Sequence, residues 1–360
     1  MRCSLLCLSG VWLPAPACEA LEELLRRVQY SRIELAGCGL TDDTAVSMFD
    51  MIEYYESANE LDISENIMLG LRGWEACGKM IRNTQCLTTL EARFTPMKEA
   101  YVARLCRGLR DNSSLCVLKL ENCALSGQGI TVLAGALKLN GSLKELWIAN
   151  NELVTSDALQ LANLLKTNLN LQLLDISNNQ IEDSGLAYIS EALVLQAHRI
   201  IPKEQLSDLS EINSLPYENE FTPSIAGSEP YELSGIIIKN RSPPVSPSSS
   251  ISSTQSLDDS LLSKQFNEEY IFNKVVNSHY IGEFENLRKL DQFHDNSTLI
   301  NRLNNRGLSV LIMWNNKLTN SSAEYIDKIL DIHENMEILN IGQNDLTDEV
   351  LSIIKMALKK

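Results

Sequence analysis

The sequence repeats one short pattern at nearly constant spacing, and this periodicity restricts the folds that the chain can adopt. In each copy, apolar residues occupy the first, fourth and sixth positions, and the ninth position is usually asparagine. The clearest copies begin at Leu143 and Leu171. Other copies begin at Tyr30, Ala58, Leu87, Leu115, Leu308 and Met336, with a partial copy at Cys3. A unit this short cannot bury its own apolar face, so the copies must stack on one another.

The pattern is that of leucine-rich repeats, in which one strand and one helix recur. Positions one, four and six of each strand point into the core, and the positions between them line a concave face. Residues 133–137 and 161–165 show the apolar spacing of a helix. We therefore predict an α/β fold: a solenoid shaped as a horseshoe, with parallel strands on the concave face and helices on the convex face.

The ninth position of the pattern predicts a buried hydrogen-bonding ladder. Stacked asparagine side chains can satisfy backbone groups in the turns of neighbouring units, which would otherwise be buried without partners. Cys38 and Cys123 occupy the same position, as small buried residues can. The predicted ladder asparagines are Asn66, Asn151, Asn179, Asn316 and Asn344.

The spacing breaks once, between the copies that begin at Leu171 and Leu308. Neighbouring starts elsewhere differ by one unit, whereas these two differ by almost five units, so the stretch between them contains a long insertion. Seven of the ten prolines and a serine-rich tract lie there, and such a composition cannot form a packed core. We predict an N-terminal repeat block (1–196), a largely disordered insertion (197–306) and a C-terminal repeat block (307–360). A retained intron would give the same pattern.

The insertion contains two candidate phosphorylation sites. Ser242 and Ser246 are each followed by proline within the serine-rich tract.

Charge and cysteine usage favour an intracellular protein. The net charge of −16 argues against nucleic acid or an anionic membrane as the partner. The nine cysteines precede residue 124 without metal-ligand spacing, which favours reduced thiols in the cytoplasm or nucleus. Residues 1–17 also resemble a signal peptide, so a secreted repeat protein remains an alternative. The repeat register at Cys3 favours a repeat there instead.

The sequence offers no catalytic constellation. It contains no HExxH, P-loop or GxSxG motif, and three of its four histidines, His198, His279 and His294, fall in the predicted insertion. We expect the fourth, His333, on a solvent-facing helix. We therefore predict no catalytic residue, no metal ligand and no cofactor, and a protein that is not an enzyme.

The concave face offers a candidate protein-binding site. Trp147 and Asp175 occupy the fifth position of successive units, and Trp314 and Phe94 project from the same face. Interface energy is concentrated in a few large side chains, tryptophan above all. We predict that Trp147, Asp175, Trp314 and Phe94 contact a protein partner. The alternative is that these side chains stack on neighbouring repeats.

Several stretches resemble one family of leucine-rich-repeat proteins beyond the general pattern. The segment Leu311-Ile-Met-Trp-Asn-Asn-Lys-Leu-Thr319, and residues 18–23, 47–64, 120–127 and 183–189, closely resemble the regulatory subunit 37 family of protein phosphatase 1. The resemblance covers about 1–196 and 307–360. It implies a non-enzymatic subunit that binds the catalytic subunit of protein phosphatase 1 and restrains its activity.

The sequence departs from this family at the phosphatase-docking motif. The resemblance implies an Arg-Val-x-Phe segment before the repeats, further repeats after them and an acidic tail, none of which this sequence contains. The nearest match is Arg27-Val28-Gln29-Tyr30, but Tyr30 occupies an inward repeat position, which favours core packing. A general leucine-rich-repeat interaction module with a different partner therefore remains an alternative.

Overall fold

A computed structural model describes residues 2–200 and 307–353, apart from Glu334, Glu349 and Leu351. Strands and helices alternate along the described chain. The strands are β1 (Cys3–Cys7), β2 (Tyr30–Glu34), β3 (Ala58–Asp62), β4 (Thr89–Glu91), β5 (Val117–Lys119), β6 (Glu145–Trp147), β7 (Leu173–Asp175), β8 (Val310–Ile312) and β9 (Ile338–Asn340). The helices are α1 (Ala15–Leu25), α2 (Asp42–Tyr55), α3 (Leu71–Asn83), α4 (Glu99–Asp111), α5 (Gln128–Leu137), α6 (Thr155–Leu165), α7 (Glu182–Ile200) and α8 (Ala323–Ile332), the last preceded by a 3-10 turn (Asn320–Ser322).

The strands of the described residues form one open parallel sheet in sequence order, from β1 to β9. The pairing follows the repeat register, so that Leu146 of β6 lies opposite Leu174 of β7. The same register continues across the break in spacing, where Leu174 lies opposite Leu311 of β8. The partial copy at Cys3 pairs with Tyr30 of β2, as the repeat interpretation predicts. The predicted α/β leucine-rich-repeat solenoid is confirmed.

Most of the predicted insertion lies outside the described residues, including the candidate phosphorylation sites Ser242 and Ser246. The start of the predicted insertion is helical instead, because α7 continues to Ile200. This correction moves His198 from the predicted loop onto a helix.

Apolar side chains at positions four and six of the strands form the core with one side of each helix. Leu146 and Ile148 have no exposed surface, and Leu133 and Leu137 of α5 are 1% exposed. Tyr30 is 8% exposed, which confirms its predicted place in the core rather than in a docking motif.

Two glycines allow α3 and α4 to approach very closely. A Cβ atom added at Gly108 of α4 would overlap the carbonyl oxygen of Gly78 and lie 2.9 Å from its Cα. One added at Gly78 would lie 2.6 Å from the carbonyl oxygen of Arg104. Only residues without a side chain fit where the two backbones meet.

The predicted asparagine ladder is present at the ninth position. Asn151 Nδ2 donates to Leu120 O at 2.8 Å and to Ala149 O at 3.2 Å. Its Oδ1 accepts from the backbone N–H groups of Cys123 at 2.8 Å and Leu125 at 3.0 Å. In two units the thiols of Cys38 and Cys123 replace the amide and donate to backbone carbonyls. Each side chain therefore joins its own turn to the turn of the preceding unit.

A second ladder, which the sequence analysis missed, lies near the C-terminal ends of the helices. Its members recur once in each successive repeat, and each donates through its amide to a carbonyl of the preceding repeat, at 2.6 to 3.0 Å. These members are Asn112, Asn140, Asn168 and Gln196. Asn112 and Asn140 are buried, although each begins an Asn-x-Ser sequence that would accept a glycan in a secreted protein.

Gln196 carries this second ladder across the break in the repeat. Its Nε2 donates to Leu165 O and Asn168 O, both at 3.0 Å. Its Oε1 accepts from the backbone N–H of Leu308 at 2.8 Å and lies 3.5 Å from His333 Nε2. His333 is 3% exposed, so the predicted solvent-facing position is wrong. His333 is the C-terminal cap of α8.

Candidate protein-binding face

One face of the sheet is lined by polar and charged side chains from positions three, five and seven of each repeat, which lie in the strand or directly after it. Because side chains alternate along a strand, these positions face away from the buried leucines at positions four and six. We call this surface the polar face. Over β2 to β7 its charged residues are Arg32, Glu34, Glu60, Asp62, Glu91, Arg93, Lys119, Glu121, Glu145 and Asp175.

Arg32 is the centre of the ion pairs at the N-terminal end of the polar face. Its guanidinium lies 2.8 Å from Glu34, 3.1 Å from Glu60 and 3.2 Å from Glu91. Burial alone would lower the pKa of Arg32, but the hydrogen bond to Glu34 and the charge and hydrogen bond of Glu91 raise it overall. One cation thus ties three consecutive strands together.

Glu91 joins this cluster to the next repeats. It pairs with Arg93, and its Oε1 lies 3.2 Å from Lys119 Nζ. Burial opposes the ionisation of Glu91, but the charges of Lys119, Arg93 and Arg32 lower its pKa to about 2. The carboxylate is therefore ionised at neutral pH despite being 3% exposed.

At two further carboxyl groups on the polar face, neighbouring cations and hydrogen bonds do not offset the effect of burial on the pKa. Burial raises the pKa of Glu121 to about 7, although Arg93 lies 3.9 Å away. Glu121 Oε2 is buried without a hydrogen-bond partner. Burial raises the pKa of Asp175 to about 6, and hydrogen bonds from Ser177 oppose that rise. Both groups change charge near physiological pH.

The buried Glu121 should make stability depend on pH. Its pKa of about 7 in the folded chain lies above the ordinary 4.5. The folded state therefore keeps a proton that the unfolded state releases, so the free energy of unfolding falls as pH rises through this range. We expect the free energy of unfolding of Glu121→Gln to exceed that of the parent by less than about 1 kcal/mol at pH 5 and by up to about 3 kcal/mol at pH 8.

Urea denaturation at the two pH values measures this difference. The charged groups that act on Glu121, which are Arg93, Lys119 and Asp175, are present in both chains, and the variant removes the titration of Glu121. The control is Glu191→Gln on α7, whose parent side chain is 64% exposed. An equal effect of Glu121→Gln at pH 5 and pH 8 would contradict the prediction.

Trp147 lies on the polar face but is less exposed than its strand position predicted. Its exposed fraction is 7%. Lys119 Nζ lies 5.8 Å from the centre of its ring, and its Nε1 donates to Glu145 Oε2 at 3.2 Å. Packing along the sheet thus contributes to its burial, as the alternative interpretation anticipated.

The structure brings three of the four predicted binding residues together. Trp147 lies opposite Asp175 in the sheet, and Asp175 lies opposite Ile312. Trp314 follows two positions later on the same face, with part of its ring against Gly342. Phe94 belongs to a unit two repeats before that of Trp147 and has a left-handed backbone with φ of 54°. Phe94 is therefore separate from the other three.

The sequence analysis did not identify the ion-pair cluster of Arg32, Glu91 and Arg93. Its signal was the recurrence of charged residues at positions three, five and seven of the units that begin at Tyr30, Ala58, Leu87 and Leu115. Among the described residues, no group of three or more His, Cys, Asp or Glu side chains is arranged to hold a metal ion. None of the described helices is long and apolar enough to cross a membrane.

Comparisons with known proteins agree with this fold. A family model described as Leucine Rich Repeat matches residues 170–191. Relatives named protein phosphatase 1 regulatory subunit 37 share 49% identity over 132 residues in Bos taurus and 46% over 116 residues in Homo sapiens. A homologue from Caenorhabditis elegans shares 38% identity over 134 residues.

These matches cover only part of each protein. They span 37%, 32% and 37% of this chain, and 19%, 17% and 14% of the cattle, human and nematode proteins. Among solved structures, leiomodin-1 actin-binding site 2 aligns at a TM-score of 0.35 and 13% identity, covering 54% of this chain and 95% of that chain. The chain thus has a leucine-rich-repeat fold and is similar, over about a third of its length, to proteins named protein phosphatase 1 regulatory subunit 37.

Proposed function

We propose that this chain is a non-enzymatic scaffold that binds the catalytic subunit of protein phosphatase 1 and restrains its activity. The observation that carries the proposal is the 49% identity over 132 residues to a relative named as a regulatory subunit of that enzyme. The repeat architecture is consistent with this role, because stacked units hold a long row of side chains in fixed register.

The polar face supplies a contact surface for such a partner. Trp147 and Trp314 lie on either side of Asp175, and Lys119 and Glu145 contact Trp147. Tryptophan side chains often supply much of the binding energy in protein interfaces. We therefore assign phosphatase contact to Trp147, Asp175 and Trp314, with Phe94 at a separate point.

The test is a direct comparison of the parent chain with the double variant Trp147→Ala, Trp314→Ala. Binding to the purified catalytic subunit is measured by calorimetry, and dephosphorylation of a phosphoprotein is measured in parallel. We expect the parent to bind and to lower the rate, and the double variant to lose about 2 kcal/mol or more of binding free energy.

A matched control removes two apolar side chains elsewhere. Ile67 and Met68 are 69% and 57% exposed, and Ile67→Ala, Met68→Ala should leave binding unchanged. Thermal melting is used to check that each variant remains folded. If the parent does not bind the phosphatase, the proposal is wrong. If both double variants bind as well as the parent, the polar face is not the contact surface.

The proposal includes a location in the cytoplasm or nucleus, where this phosphatase contact would occur. Burial of Asn112 and Asn140 supports it, because each amide nitrogen already donates to a backbone carbonyl. A glycan at either position would break the second ladder. Expression of the chain in cultured cells tests the location, since recovery of a glycosylated chain from the culture medium would contradict it.

A further inference from the structure

Five of the described helices carry a basic residue near their C-terminal end, at a point where α2 carries an acidic one; α7 and α8 have His198 and Leu330 there. In α1 and α3 to α6, the residue directly after the last buried apolar side chain of the helix is basic. These residues are Arg26, Arg82, Arg110, Lys138 and Lys166. A cation at this point is favoured by the partial negative charge of the helix C-terminus. In α2 the equivalent residue, after the buried Ile52, is Glu53.

Glu53 is 18% exposed and contacts α3. Glu53 Oε1 accepts from Asn83 Nδ2 at 2.7 Å, and Oε2 lies 3.8 Å from Lys79 Nζ without forming a hydrogen bond. Both partners belong to the exposed side of α3. Because Oε2 is buried, Glu53 adds negative charge to its surroundings rather than an exposed carboxylate.

The reversal lies in an open groove over α1, α2 and α3. Four carboxylates line it, Glu19, Glu22, Asp50 and Glu53, and Lys79 is the one basic residue among the described lining residues. Lys79 Nζ lies 2.9 Å from Asp50 Oδ1, so that its charge is largely engaged. The groove therefore carries an excess of negative charge.

Two tyrosines form an aromatic wall beside these carboxylates. The Tyr54 side chain is 81% exposed, the highest value among the large exposed hydrophobic residues of the described chain. Its ring meets that of Tyr55 edge to face, with centroids 5.0 Å apart. Tyr55 in turn donates to Glu22 Oε1 at 3.1 Å, which holds Tyr55 against α1. An exposed aromatic face beside carboxylates suits a guanidinium, which can stack and form ion pairs at once.

We propose that this groove on the helix side binds a protein segment that presents arginine side chains. The arginine lies on the Tyr54 ring, and its guanidinium pairs with Asp50, which lies one helical turn from Tyr54 and is 50% exposed. This surface is distinct from the polar face of the sheet and is independent of phosphatase binding.

The test uses a fluorescent peptide of alternating arginine and leucine, and the same peptide with citrulline, a neutral analogue of arginine. Fluorescence anisotropy measures binding of each peptide to the full chain. We expect the arginine peptide to bind and the citrulline peptide to bind at least about tenfold more weakly, because the charge is lost. Equal binding of the two peptides, or no binding of either, would overturn the proposal.

Two variants identify the groove as the binding site. Glu53→Arg restores the basic residue of the other helices and should weaken the arginine peptide about tenfold through like-charge repulsion. Tyr54→Ser keeps the charge and should weaken binding about threefold or more by removing the stacking surface. Because Tyr54 is 81% exposed, this variant tests the site without disturbing the core.

A matched control distinguishes binding at the groove from attraction to the overall net charge of −16. Glu191→Arg on α7 makes the same change in net charge at a side chain that is 64% exposed. We expect it to leave the affinity for the arginine peptide unchanged. If Glu191→Arg weakens binding as much as Glu53→Arg, or if Tyr54→Ser has no effect, binding follows net charge and the groove is not the site.

Discussion

Replacing Gly108 with alanine is expected to lower the free energy of unfolding by about 3 kcal/mol, the upper end of the usual cost of overpacking. The added methyl group would overlap the carbonyl oxygen of Gly78, a backbone atom that cannot rotate away as a side chain can. Helices α3 and α4 would have to separate, and the strands beneath them would lose contact. Urea denaturation followed by circular dichroism measures the loss.

Gly135→Ala is the matched control for this substitution. Gly135 lies within α5, and a Cβ atom there would meet no heavy atom within 4 Å. Alanine has a higher helix propensity than glycine, so the free energy of unfolding of this variant should rise by about 1 kcal/mol. The close approach of α3 and α4 would be refuted if the two variants changed stability in the same direction.

Asn151→Ala should lower the free energy of unfolding by about 4 kcal/mol. This value is the sum of modest penalties at several buried backbone groups that lose their hydrogen-bond partners. The Asn151 side chain makes four hydrogen bonds, two to carbonyl oxygens and two from N–H groups. Alanine satisfies none of them, and the space is enclosed because Asn151 has no exposed surface. The loss should appear in thermal and urea unfolding alike.

The control for this second prediction is Asn163→Ala on α6. It removes the same side chain from a partly exposed helical position, where substitutions usually change stability by less than about 0.5 kcal/mol. A cost at Asn151 no larger than that at Asn163 would show that the ladder adds little to stability.

The sequence was sufficient to predict the repeating architecture but not every polar contact within it. Positions one, four, six and nine have one environment in every unit, so periodicity alone located the core and the Asn151 ladder. The second ladder escaped notice because Asn112 and Asn140 lie in turns, where asparagine has several ordinary uses. Their separation by one full repeat unit was the available signal.

The candidate site was harder to predict because its properties depend on neighbouring strands. Position alone placed Trp147 on the polar face, yet its burial involves Lys119, which is its neighbour only once β5 and β6 pair. The pKa of Glu121 likewise reflects burial, which no single repeat specifies. His333 was misplaced for a similar reason, since its partner Gln196 lies on the far side of the insertion in the sequence.

The contacts of Gln196 have a consequence for the length of chain that can be inserted between α7 and Gly307. The chain leaves the repeats after α7 and returns at Gly307, whose backbone N–H donates to Leu169 O at 3.1 Å. The chain therefore leaves and re-enters the repeats at one joint, between the units of β7 and β8. Strand pairing and both ladders continue across this joint. The free-energy cost of closing a loop grows only slowly with its length. The chain inserted at this joint can therefore differ in length while the sheet and both ladders keep their hydrogen bonds.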